Sequence, residues 1–282
     1  MIAIVGGLVA AAMWAASALC TARSTRMIPP VAVLGWVLVI GSVITAPFAL
    51  AQGVPPELGS EQVLLLVVTA IGNTTGLLFA YSALRFGKVG VVAPITSAQG
   101  AAAAVIAVLA GEQIATGAGV ALGVIVVGVT LSSMSRTVEE GSGRREGLAI
   151  WFALGAALFF GVGLWAMGRL SEDLPVAWII FPSRTIAVLL VTVPLALTRR
   201  MPMTRQAAPL VVVSGILEVL GVVAFTIGAR HGIAVAAVLG SQFAAIATIA
   251  AFVLFRERLA RVQVFGVAVI AVGVAVLTAL QA

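Results

Sequence analysis

Two charged residues, Arg184 and Glu218, lie deep inside apolar runs, which read FPSRTIAVLL and VVVSGILEVLGVVAF. A charged group in hydrocarbon costs free energy unless it is paired or faces water. The two residues therefore predict a polar site inside the protein. Three interpretations stay open there. Glu218 binds an amine or exchanges a proton, Arg184 binds a carboxylate, or the two side chains form a fixed buried ion pair.

These runs belong to a set of ten apolar segments that fill the chain. Of 282 residues, 62% are hydrophobic and 9% are charged, which is outside the range of soluble domains. About 20 residues of helix cross a bilayer. The sequence therefore predicts an all-α polytopic membrane protein with ten transmembrane helices, at 2–21, 31–50, 62–84, 89–110, 116–134, 148–168, 176–197, 209–229, 233–255 and 262–281.

The chain resembles itself at an offset of 145 residues, where glycines and charged residues coincide: Gly76 with Gly221, Arg85 with Arg230, and Glu112 with Glu257. This predicts two five-helix repeats, 1–134 and 148–282, with a linker at 135–147. Because five is odd, the second repeat should be inverted in the membrane. Inverted halves can open a central site to either side in turn, which indicates a transporter.

Depth and helical spacing extend the predicted site. Arg184 and Glu218 lie about 12 and 13 Å along their helices, near the bilayer midplane. Gly221 and Phe225 share a face with Glu218, and the glycine should leave space beside the carboxylate. We expect the substrate-binding residues to be Glu218, Arg184, Asn73 (the repeat equivalent of Glu218), Trp14, Tyr81, Gln99, Gln242 and Phe225, with Glu218 also coupling protons.

Pro94 and Gly240 occupy neighbouring positions of the two repeats. A missing or weak backbone hydrogen bond there would allow a kink, so both are predicted hinges. Glu112 and Glu257 lie at helix ends, where capping or loop pairing is expected. Close helix approach is predicted at two small-xxx-small pairs, Gly72 with Gly76 and Gly119 with Gly123.

Basic residues concentrate on alternate loops. Odd-numbered loops contain thirteen, whereas even-numbered loops contain two, Arg169 and Arg230. Since basic loops remain in the cytoplasm, we expect a multi-pass protein of the cell (cytoplasmic or inner) membrane with both termini outside. Topology also accounts for the net charge of +6, so no nucleic-acid partner is expected.

Several classes of function are disfavoured by counts and motifs. One cysteine and one histidine exclude a disulfide framework and an ordinary Cys/His zinc site, and no cofactor is expected. The sequence contains no P-loop, HExxH or GxSxG pattern. ATP-driven pumping and catalysis are therefore not expected.

Two segments, YSALRFGKVGVVAPITS and LFRERLARVQVFGVAVIAVGVAVL, resemble the EamA-like ten-helix branch of the drug/metabolite transporter superfamily. The matching features are the Ala-Leu-Arg turn at 83–85, Pro94, the Gly111–Glu112 signature and Glu257. The resemblance covers nearly the whole chain and implies export of amino acids, related metabolites or drugs. Many members look basic at the N-terminus and in even-numbered loops, the reverse of the bias here.

Together these patterns predict a secondary-active transporter that moves a small polar or cationic metabolite, such as an amino acid, amine or drug-like compound. The expected partners are this small molecule, the lipid bilayer, and protons or another coupling ion. Proton-coupled uptake of a quaternary amine such as choline is one alternative, because a carboxylate with aromatic neighbours suits such a cation. Another is a non-transporting sensor or accessory subunit. Monomer and homodimer both stay open.

Overall fold

The computed structural model describes residues 1–55, 58–112 and 143–243, with scattered helical residues within 117–131 and 245–276. The helices of the continuous ranges are α1 (Ile2–Ser24), α2 (Pro30–Gln52), α3 (Ser60–Phe86), α4 (Val89–Thr96), α5 (Gln99–Leu109), α6 (Gly143–Asp173), α7 (Val176–Leu197), α8 (Ala208–Ala229) and α9 (Ile233–Gly240). Within α7, Val188–Thr192 forms a π-helical turn. These described ranges contain no strand.

Six helices, α1, α2, α3, α6, α7 and α8, are long and apolar enough to cross a membrane. They correspond to the first three and the sixth to eighth predicted spans. Helix α6 begins at Gly143, inside the predicted linker. The fifth and tenth predicted spans, like Glu257, lie mostly or wholly outside the described residues, so the total of ten helices stays a prediction.

The fourth predicted span, 89–110, is not one helix but two, α4 and α5. The backbone tightens between them, where Ala98 N–H donates to Ile95 O at 3.2 Å and Gly100 N–H to Ser97 O at 3.1 Å. These three-residue steps replace the four-residue steps of an α-helix. The predicted hinge residue Pro94 belongs to α4, and its side chain is not among those that the structure describes.

An equivalent interruption ends α9 at Gly240. The Ser241 hydroxyl and the Gln242 amide both donate to Val238 O, at 2.6 and 3.1 Å. Side chains that take a backbone acceptor compete with the helical ladder. Accordingly, Gln242 N–H donates to Leu239 O at 3.1 Å in a tighter turn.

Two antiparallel helix pairs join the predicted repeats, since α1 packs against α8 and α3 packs against α6. A Cβ added at Gly6 would lie 2.7 Å from Ala224 O, and one added at Gly72 would lie 2.8 Å from Phe159 O. The backbones are therefore in contact at both crossings. The third helix of each repeat meets the first helix of the other, as a twofold arrangement of two repeats requires.

Of the two predicted small-xxx-small pairs, only the first is packed. A Cβ at Gly76 would lie 2.5 Å from the Phe160 ring, whereas Cβ atoms at Gly119 and Gly123 would meet nothing within 4 Å among the described residues. Identical spacing thus serves a helix crossing in one place and meets no described neighbour in the other.

We predict that Gly72→Ala lowers the free energy of unfolding by about 1–3 kcal/mol, the usual cost of overpacking. The added methyl would push α3 away from Phe159 O and the backbone of Gly163. Thermal unfolding in detergent measures the loss. The matched control is Gly123→Ala, which should cause no loss. Equal melting temperatures for the two variants would contradict the close crossing.

Candidate functional site

Arg184 of α7 and Glu218 of α8 form a buried ion pair, in which Arg184 Nη2 donates to Glu218 Oε2. Their side chains are 2% and 6% exposed. Gly41 of α2 lies against the pair, and a Cβ there would lie 3.5 Å from Arg184 Cδ and Nε, an ordinary van der Waals distance. Of the interpretations left open by the sequence, mutual pairing describes this conformation.

The pair is incompletely satisfied. Arg184 Nη1 is buried without a hydrogen-bond partner in the described part of the chain. Glu218 bonds through Oε2, and its Oε1 makes no hydrogen bond to a described residue. One donor of the guanidinium and one acceptor of the carboxylate therefore remain available to a further group.

A cavity of about 90 Å³ lies beside Glu218. Its walls come from α1, α3, α4, α5, α6 and α8, so both predicted repeats contribute. The polar residues that border it are Ser17, Thr21, Asn73, Tyr81, Thr96, Gln99 and Glu218. The rest of the wall is apolar and includes the rings of Trp14, Phe160 and Phe243.

Three of the predicted residues present unpaired polar groups at this cavity. The Tyr81 hydroxyl is buried and makes no hydrogen bond within the described chain, although the hydroxyls of Thr21 and Ser214 lie beside it. The side-chain amides of Asn73 and Gln99 border the cavity, and neither bonds to a described residue. Since buried polar groups are normally paired, the Tyr81 hydroxyl is free to bond to a small molecule in the cavity, and the amides of Asn73 and Gln99 are accessible from it.

A cluster of hydroxyls next to the carboxylate was not predicted from the sequence. Ser214 lies one turn before Glu218, and its Oγ is 2.9 Å from Ser17 Oγ and 2.8 Å from Thr21 Oγ1. Ser17 and Thr21 are four residues apart and therefore share a face of α1. That spacing was the available signal, but it does not reveal which helix the face meets.

The space expected beside Gly221 is occupied, which corrects that expectation. The Trp14 indole packs against Gly221 and also lies 3.1 Å from a Cβ position at Gly240. Its ring centroid is 6.0 Å from that of Phe225. Trp14 thus fills the gap that the glycines leave and forms part of the cavity wall.

Three predicted site residues do not border the cavity in this conformation. Arg184 contacts it only through Glu218. Phe225 is fully buried in an apolar cluster, and Gln242 donates to its own helix at Val238 O. Whether these side chains border the cavity depends on how each helix is rotated about its axis, and the helical period of the sequence does not specify that rotation.

The cavity extends toward one end of the bundle. Its walls include residues within 14–21 of α1 and 73–84 of α3. These residues belong to the C-terminal halves of the two helices, which lead to this end. We call this the basic end, because it carries Arg23, Arg26, Arg85 and Lys88. Toward the opposite end, buried apolar side chains fill the bundle, among them Leu170, Leu174, Phe225 and Ile233.

Long apolar helices from two interlocking sets, with a cavity between them, define a polytopic membrane protein with an internal site. A family model, that of the EamA-like transporter family, matches residues 1–134 and 147–279. The chain therefore belongs to the EamA-like transporter family, within the drug/metabolite transporter superfamily, as its motifs predicted. This family is a family of membrane transporters.

The fold is also similar to that of a solved structure described only as "Crystal structure of protein". The TM-score is 0.73 and the sequence identity 20%, over 99% of this chain and 96% of the other. At this identity the similarity shows the fold alone. A comparison with curated proteins found no match.

We predict that Glu218→Leu lowers the free energy of unfolding by about 3–5 kcal/mol, because it leaves the Arg184 guanidinium buried without its partner. The double variant Arg184→Leu/Glu218→Leu should lose much less than the sum of the two single variants. Thermal unfolding of all four proteins in detergent gives the coupling. Strictly additive losses would argue against a buried pair.

Proposed function

We propose that this protein is a secondary-active transporter that moves a small polar or cationic metabolite, such as an amino acid, amine or drug-like compound, by alternating access. The observation that carries the proposal is the position of Glu218. This carboxylate borders a cavity shared by both repeats, and one of its oxygens makes no hydrogen bond to the part of the chain that the structure describes. Membership of a transporter family makes the cavity a route for cargo.

The ion pair supports a cargo with a positive charge. An ammonium group that enters the cavity would meet Glu218 Oε1, while Arg184 continues to neutralise Oε2. A cargo carboxylate could in turn bond to the unpaired Nη1 of Arg184, if Arg184 moves toward the cavity. Tyr81, Asn73 and Gln99 would orient the remaining polar groups, and the apolar wall would hold a hydrocarbon portion.

Coupling to protons would follow if a proton and the cargo compete for Glu218. A proton on Glu218 removes the negative charge that a cationic cargo needs, so proton and cargo exclude one another at this carboxylate. Exchange of one for the other would couple the two fluxes. Glu218 is thus the proposed proton-coupling group.

Direction and location are inferred from the basic end. By the positive-inside rule this end faces the cytoplasm, which places the cavity on the cytoplasmic side of the cell membrane and both termini outside. A cargo loaded from the cytoplasm suits export. The interruptions after α4 and α9, next to Pro94 and Gly240, are the proposed hinges for the opposite opening.

A second candidate is proton-coupled import of a quaternary amine such as choline. Four aromatic side chains border the cavity together with Glu218: Trp14, Tyr81, Phe160 and Phe243. Aromatic faces attract cations that cannot donate hydrogen bonds. Flux of choline into liposomes down an imposed proton gradient would distinguish this activity from export of primary amines.

We predict that Glu218→Gln abolishes proton-driven flux of amines in liposomes, since the amide neither titrates nor carries charge. The control is Glu61→Gln, the same change at an exposed residue in the first turn of α3, which should transport normally. A thermal unfolding curve confirms that each variant is folded. Wild-type flux in Glu218→Gln would remove Glu218 from the mechanism, and no flux of any solute in the wild type would refute transport.

Removal of the Tyr81 hydroxyl should weaken cargo binding. We predict that Tyr81→Phe raises the KM for the cargo about twofold to tenfold, the effect of one hydrogen bond of about 0.5–1.5 kcal/mol. Thr69→Val is the control, because the Thr69 hydroxyl is also buried and has no partner among the described residues, but does not border the cavity. Equal KM values for Tyr81→Phe and wild type would place the hydroxyl outside the binding site.

A further inference from the structure

Glu112 connects the two repeats at the end of the bundle opposite the basic end. It follows α5, in the first repeat. Its Oε1 accepts a hydrogen bond from Ala234 N–H at 3.3 Å, in the first turn of α9 of the second repeat. Buried apolar side chains pack at this end, among them Leu174 and Ile233.

Helix α9 has no cap of its own. Its N-cap residue is Gly232, with a φ of 138° and no side chain to offer. The first N–H groups of a helix lack partners within the helix, and a carboxylate suits their partial positive charge. Glu112 therefore supplies from one repeat the cap that the helix of the other repeat lacks.

Below this cap, α5 and α9 are in backbone contact. A Cβ at Gly100 would lie 2.5 Å from Ala237 O and 2.7 Å from Ser241 Cβ. Gln99, at the start of α5, borders the cavity. The two helices thus run together from the Glu112 cap to the cavity, so separation at the cap would change the cavity wall.

The cap is only half satisfied. Glu112 is half-buried, and its Oε2 is buried without a partner in the described chain. Release of the carboxylate into water would satisfy this oxygen and offset part of the lost cap. A contact of this kind can hold a conformation and still open.

We infer that Glu112 is a positioning residue, which latches the N-terminus of α9 and keeps the opposite end closed while the cavity extends toward the basic end. The latch must release when the cavity opens to the other side. This inference rests on the proposed alternating access.

The charged groups around Glu112 set the expected effect of pH. Burial raises the pKa of its carboxyl, and Glu172 of α6 adds to this. The N–H groups of Ala234 and Ile233, together with Arg169, act in the lowering direction. Because the latched carboxyl has a higher pKa than one released into water, a fall in pH toward that pKa favours the latched form, and a rise in pH favours release.

Two cysteine reporters test the latch in a Cys20→Ser background. Ala107→Cys lies beneath the latch, since Glu112 N–H donates to Ala107 O at 3.0 Å and Ala107 is buried. Ala18→Cys borders the cavity. The rate at which a maleimide labels each reporter is measured on the purified protein in detergent, with no cargo present.

In the Glu112→Ala variant, maleimide should label the cysteine of Ala107→Cys about fivefold faster, the size expected for loss of a helix cap. It should label the cysteine of Ala18→Cys more slowly. In Glu112→Gln the side chain keeps an acceptor oxygen and resembles the protonated carboxyl, so both reporters should be labelled at every pH at the rates that the wild type shows at low pH. Unchanged labelling of Ala107→Cys in Glu112→Ala would overturn the latch. So would faster labelling of both reporters, which indicates loosening of the fold.

The outcomes separate the latch from the proposed function. Unchanged labelling with normal cargo flux in liposomes would remove the latch and leave the transporter. Reciprocal labelling without flux of any solute would support the latch and refute transport.

Discussion

The antiparallel contacts of α1 with α8 and of α3 with α6 hold the two repeats together. Within a bilayer, apolar side chains gain little by leaving lipid for protein, so helices associate through close packing and hydrogen bonds. Gly6 and Gly72 bring the backbones together at the two crossings, and the Ser17–Ser214 bond adds a polar contact to the first. The cavity is the space that remains between these crossings, and its shape depends on them.

The Arg184–Glu218 pair occupies this framework asymmetrically. Both charges come from the second repeat, whereas the first contributes the neutral Asn73 at the position equivalent to Glu218. A second acid at position 73 would repel Glu218 across the cavity, and Arg184 alone would have to balance both charges. With Glu218, Arg184 and Asn73 together, one oxygen of the carboxylate is neutralised by Arg184 and the other remains available for binding.

The interruptions in the fourth helix of each repeat lie beside this site. Backbone groups without α-helical partners are costly against lipid but acceptable where they are enclosed by protein or border a cavity. After α9, Ser241 and Gln242 satisfy Val238 O with their own side chains. The carbonyl at the second break therefore has local hydrogen-bond partners, whereas Glu112 bonds to the first turn at the other end of α9.

Apolar length in the sequence determined six helices that are long enough to cross a membrane. Isolated charge determined the central acid, and two motif-bearing segments indicated the family. In hydrocarbon, each helix must form its own backbone hydrogen bonds and each buried charge must find a partner. Both requirements act within single helices, so they leave a signal in the local sequence. Kinks were predicted at Pro94 and Gly240, and the breaks near Ser97 and Ser241 lie within a few residues of them. The second break also depends on competition of the Ser241 and Gln242 side chains for Val238 O, which the sequence does not reveal. Only the tertiary structure placed Ser17 and Thr21 beside Ser214, Trp14 against Gly221, and Phe225 away from the cavity. Those contacts depend on how helices distant in sequence rotate and cross, and a helical period specifies a face without specifying what that face meets.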